Sequence, residues 1–122
     1  SIRALDPTFE VAACRFDLAD GPVEIASPQT APFWSLSVYN RRGENIFSIN
    51  DRTANQMDLS VTVATAPQVV ELKKALAPEL ETSIVAEAEL SEGFVVLRAF
   101  AENDGMRPTV IAFLDRASCD LY

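Results

Sequence analysis

Histidine is absent from the 122 residues, and lysine, glycine, cysteine and tryptophan are scarce. Without histidine there is no Ser/His or Cys/His nucleophile pair, no imidazole general base, and no His-ligated zinc, copper or iron. Carboxylate chemistry, a lysine nucleophile, or a calcium or magnesium site built from oxygens remain open. Lysine occurs only as Lys73 and Lys74, and 18 acidic against 10 basic side chains leave a formal net charge of -8. That balance opposes binding to a phosphate backbone, where lysine and arginine displace counterions, so nucleic acid is not expected as a partner. The one basic step, Arg41-Arg42 beside Glu44, reads as a solvated turn. No apolar run approaches the roughly 18 residues of a membrane-spanning helix. The two cysteines, Cys14 and Cys119, fit no CxxC redox or zinc motif. They are two buried thiols or one disulfide. The disulfide is the preferred reading, and it places the chain in an oxidising compartment, periplasmic or otherwise extracytoplasmic.

Against these absences stands an ordinary globular composition, 48% apolar and 23% charged, well away from that of disordered chains. A chain of this length buries roughly two thirds of its unfolded surface around one core. No repeat, linker or composition shift divides it, so residues 1–122 are expected to form a single domain. The sequence starts at Ser1 without an initiating methionine. The expectation is the soluble part of a longer protein, with any membrane anchor outside this chain.

Periodicity is mostly two. Trp34, Leu36 and Val38 alternate with Ser35, Ser37 and the amphipathic Tyr39, a half-buried strand. Residues 40–45 then turn at Gly43 into a second strand over 46–49, giving a hairpin. Leu59, Val61 and Val63 alternate in the same way. Runs at 83–90 and 94–100, joined through Ser91-Glu92-Gly93, read as another hairpin, and Ala19-Asp20-Gly21-Pro22 between runs at 9–18 and 23–26 as a third. Helical spacing appears twice. Val69, Leu72 and Leu76 recur behind Thr65 and Pro67, with an end at Ala77-Pro78, and Val110, Phe113, Leu114 and Ala117 follow Pro108. Cys119 would lie just past this second helix. About seven strands and two short helices predict a mainly β fold, an antiparallel, jelly-roll-like β-sandwich.

Candidate chemistry is sparse. Asn45, Asn50, Asp51 and Arg52 are the densest polar cluster. Such residues at a strand end usually make local turns, but Asn50, Asp51 and Arg52 could instead present a carboxylate and a bidentate donor to a small ligand. Arg98 is the only charge in a run that is apolar on both faces, so it either lies at an edge or pairs with a carboxylate, and it could anchor an anion. Glu87 and Glu89 oppose Ile84, Ala86 and Ala88 and read as the solvent face of a strand rather than a catalytic carboxylate pair. Asn103-Asp104-Gly105 lacks the ligand pattern of a calcium loop and reads as a turn. Neither a metal, a cofactor nor a catalytic set is assigned.

The segment 33–40, the turn at Gly43, and Asn45-Ile46-Phe47-Ser48-Ile49-Asn50-Asp51-Arg52-Thr53 resemble the bacterial family called domain of unknown function 1214, with its tryptophan-led strand and N-D-R strand end. Residues 93–100 followed by Arg107-Pro108 are similar to that family's closing strand and proline-containing tail. The resemblance implies a jelly-roll-like sandwich, a partner domain of unknown function 1254, and, for short forms, an envelope protein anchored at the inner membrane. It implies no catalytic residues. Two functions follow as expectations: a non-catalytic binding module with a protein partner in the cell envelope, or a small carboxylate-based hydrolase or lyase acting on an anionic or sugar substrate. The second requires Asp51, Arg52 and Arg98 to converge.

Overall fold

Alternating apolar residues oblige each sheet to bury one face, and two sheets do so against each other. The computed structural model describes residues 2–5, 9–52, 58–75 and 83–121. One sheet has the order β1 (Ile2–Leu5), β2 (Phe9–Asp17), β8 (Glu92–Phe100), β4 (Trp34–Asn40), β5 (Asn45–Asn50). The other runs β7 (Ile84–Glu87), β6 (Ser60–Ala64), β3 (Val23–Ala26), β9 (Ser118–Leu121). Ala12, Phe16, Trp34, Leu36, Val38, Val95 and Leu97 of the first sheet meet Val23, Ile25, Val61 and Val63 of the second in one core. The mainly β sandwich with two helices is therefore what forms.

The connections depart from the sequence reading. Only β4–β5 is the expected hairpin, with Gly43 at φ 83°. The runs on either side of Asp20-Gly21 do not pair with each other: β2 belongs to one sheet and β3 to the other. Between them Asp17 accepts the Ala19 N–H at 2.9 Å and caps a 3-10 turn at Leu18–Asp20, a corner between sheets. Likewise β7 and β8 lie in different sheets instead of forming a hairpin. β7 pairs in parallel with β6, the one parallel ladder among the described residues, because helix α1 (Ala66–Ala75) carries the chain back as a crossover.

That helix starts as Thr65 and Pro67 suggest. The Gln68 side chain accepts the Thr65 N–H at 2.9 Å and donates to the Leu18 carbonyl at 2.6 Å. Val69 and Leu72 cover Ala64 on the far face of the four-stranded sheet. Leu76 and the expected stop at Ala77-Pro78 lie outside the described residues. Helix α2 (Arg107–Asp115) sends Val110, Phe113 and Leu114 into the main core, with Phe113 stacked on Trp34 at 6.3 Å. No described helix is long and apolar enough to cross a membrane.

Cys119 is not at a helix end. It sits on β9, opposite Ile25, and is bonded to Cys14 of β2, so the disulfide joins the two sheets.

Candidate functional site

The two sheets differ in what covers their outer faces. α1 lies over the four-stranded sheet, whereas neither helix lies on the outer face of the five-stranded one: α2 packs on the inner side of β2 and β8. Strand alternation and register arrange that open face in rows. Val11, Arg98, Ser35 and Asn50 form one row across β2, β8, β4 and β5; Ala13, Val96, Ser37 and Ser48 form the next; Arg15, Phe94, Tyr39 and Asn45 the third.

Along one end run aromatics. Phe9 and Phe33 are 45% and 43% exposed, and both flank Phe100, with ring centroids at 5.4 and 6.3 Å. Phe33 has φ 55°, the left-handed region that a bulky residue rarely occupies, and its carbonyl accepts the Phe100 N–H at 3.0 Å. The rest of the face is a polar network. Asn45 Nδ2 donates to Ser48 Oγ at 2.9 Å, and Ser48 Oγ to Ser37 Oγ at 3.1 Å. The Tyr39 hydroxyl shares hydrogen bonds with Ser37 and Arg98, and its ring stacks on Phe94 at 5.0 Å. Those bonds, first that with Ser37 and then that with Arg98, hold the phenol below its usual range.

Arg98 is thus not at an edge, nor is it paired with a carboxylate among the described residues. It stands on the central strand of the sheet, half-buried, and among the described residues no carboxylate reaches it within ion-pair distance. Its available partner is a phenol, which leaves guanidinium donors for an incoming carboxylate.

Of the four site residues expected from sequence, the structure brings two together. Asn50 and Arg98 flank Ser35 in one row. Asp51 turns to the other side, into a cavity beside Trp34 and Phe113, with its N–H on the Trp34 carbonyl at 3.1 Å. Arg52 is exposed in the turn after β5. The convergence of Asp51, Arg52 and Arg98 that a carboxylate-based enzyme needs is not present. Tyr39, Ser37 and Ser48 were missed as site residues; the only signal was the hydroxyl-rich polar half of an alternating strand. Glu87 and Glu89 are exposed as expected, and so is Glu92, which pairs with Arg41 at 3.1 Å. The Asn103 side chain caps the Met106 N–H at 3.1 Å, a turn and not a calcium loop. Among the described residues no group of three or more metal-ligating side chains assembles.

The family described as Protein of unknown function (DUF1254) matches residues 9–120. The chain belongs to the DUF1254 family. The match is thus to the partner family that the strand resemblance implied and not to domain of unknown function 1214, the family the strands themselves resembled. No curated protein matches the chain. Its fold is similar to the crystal structure of the VPA0106 protein from Vibrio parahaemolyticus, with a TM-score of 0.72 at 15% identity over 96% of this chain. The DUF1254 chain spans 28% of the length of that protein.

Proposed function

We propose that this DUF1254 domain is a non-catalytic interaction module that docks a carboxylate-bearing protein partner of the cell envelope on the outer face of its five-stranded sheet. The carrying observation is Arg98: a half-buried guanidinium on an open face, hydrogen-bonded to Tyr39 and flanked by exposed Phe9 and Phe33 and by half-buried Phe100. Arginine and aromatic side chains are the groups that dominate binding energy at protein interfaces. On a chain of net charge -8, a face presenting Arg98 and Arg15 favours an acidic partner patch over the rest of its own surface. The Cys14–Cys119 bond supports an oxidising compartment, and a tether at the inner membrane belongs to the same proposal.

The test is differential capture under non-reducing conditions from an extract of the source cells, with wild type, Arg98→Glu and Phe100→Ala as baits of equal thermal stability. A protein retained by wild type and lost from Arg98→Glu supports the reading. The same set retained by all three overturns it. Fractionation of the cells checks the tether: recovery in the cytosol with free thiols removes the compartment.

A further inference from the structure

The geometry points to a second binding site, at the open end of the sandwich, for a small organic ammonium carried on an apolar body. Between the segment leading into β4, the turn after β5 and the start of α2 lies a cavity of about 470 Å³. That volume falls in the range of small-molecule sites, which pair apolar walls with a few polar groups. Trp34, Leu59 and Phe113, each at most 3% exposed, form the floor; Phe33 stands at the rim.

Among the described residues the charged lining groups are two, Asp51 and Asp58, both carboxylates, with no arginine or lysine. An anion would be repelled, and a neutral apolar molecule would gain nothing from the two carboxylates, of which Asp58 is exposed and Asp51 half-buried. A cation whose body rests on the aromatic floor satisfies both, with the ring faces adding cation–π attraction. A third group narrows the ligand. The indole N–H of Trp34 meets no acceptor among the described residues and is not sealed from solvent, so on the wall of this cavity it is free to donate to a bound molecule. The complement is an ammonium with a hydrogen-bond acceptor a few atoms away, as in an amino-acid amide with an apolar side chain. This site borders the Arg98 face at Phe33 but has its floor and its charges on the other side of the sheet, with the opposite charge preference.

Trp34 is the sole tryptophan, so its emission reports on the cavity directly. The experiment titrates the protein with phenylalanine amide, with its neutral N-acetyl derivative as the control. The expected result is a saturable change in Trp34 emission in the millimolar range or below, about tenfold weaker or more for the neutral compound and for the double variant Asp51→Asn with Asp58→Asn. Asparagine keeps the shape of aspartate; should the variant unfold, added salt on wild type must weaken the amide and leave the neutral compound unchanged. No saturable change, equal response to both compounds, or undiminished binding by a folded variant overturns the inference. Arg98→Glu leaves this titration unchanged, which separates its failure from that of the docking face.

Discussion

Cys14 on the inner side of β2 and Cys119 on edge strand β9 are bonded across the sandwich, their Cα atoms 6.6 Å apart and 105 residues apart in sequence. The second strand of one sheet is thereby tied to an edge strand of the other through a covalent link close to the start and the end of the described fold. Closing a loop of this length constrains the unfolded chain by about 4.7 kcal/mol in the entropy model, and removing such bridges from small domains typically costs about 2–5 kcal/mol. The double variant Cys14→Ala with Cys119→Ala is expected to lose stability within that range. Urea denaturation of variant and wild type checks it; a loss below about 1 kcal/mol would show that the sandwich holds without the bond.

Gly93 looked like a turn residue and is instead the second residue of β8, buried and facing inward. A Cβ there would run into the Tyr39 carbonyl and come within 2.9 Å of the Phe16 ring. Neither neighbour can retreat, since one is backbone in a paired strand and the other is core. Gly93→Ala is expected to destabilise by about 1–3 kcal/mol through overpacking. At Gly43 no atom lies within 4 Å of the added Cβ, so Gly43→Ala should cost only the left-handed backbone, about 1–2 kcal/mol. The two denaturation midpoints, measured side by side, distinguish crowding from conformation: a Gly93 effect smaller than that at Gly43 would contradict the packing.

These glycines also mark where the sequence was readable. The β4–β5 hairpin is local, so alternation and Gly43 sufficed to place it. Alternation says which face of a strand is buried but not which strand lies beside it. Hence Ser91-Glu92-Gly93 and Asp20-Gly21 passed for hairpins, when both are crossings between sheets. The parallel pairing of β6 with β7 depends on α1 packing Val69 and Leu72 over Ala64, a contact no local pattern encodes. At the site, the lone charge in β8 was visible, whereas the Ser37 and Tyr39 beside it come from β4, some sixty residues earlier, and only register unites them.

Tyr39 offers a pH reading of that register. Hydrogen bonds from Ser37 and Arg98 favour its phenolate, so it should titrate below the usual value of 10.0. A depressed folded value means that the added stability is complete above the unfolded phenol value and is lost as pH falls through the folded one. Nothing is therefore gained at neutral pH. Following phenolate absorbance, Ser37→Ala and Arg98→Gln should each move the Tyr39 midpoint upward, the serine change at least as much as the arginine change, with Tyr39→Phe identifying the transition. An unmoved midpoint in both variants would mean that the polar network does not form.

Glu10 sets the last expectation. It lies on the inner face of β2, only 2% exposed, with Oε1 3.4 Å from Nη1 of Arg107 at the start of α2 and no hydrogen-bond partner for Oε2. The two ends of this pair are not equivalent, because the Arg107 side chain is 35% exposed and can return to water, whereas the carboxylate cannot. Removing the arginine strands a buried carboxylate; removing the glutamate strands nothing. Full burial would put the first loss at about 3–5 kcal/mol, and the exposure of Arg107 lowers it to about 2–3 kcal/mol. Glu10→Leu should be near neutral or stabilising, and the double variant with Arg107→Met should recover most of what Arg107→Met alone loses. A four-member denaturation cycle checks the asymmetry. If Glu10→Leu proves the costlier single change, the carboxylate is holding α2 against the sheet by more than its bond to Arg107.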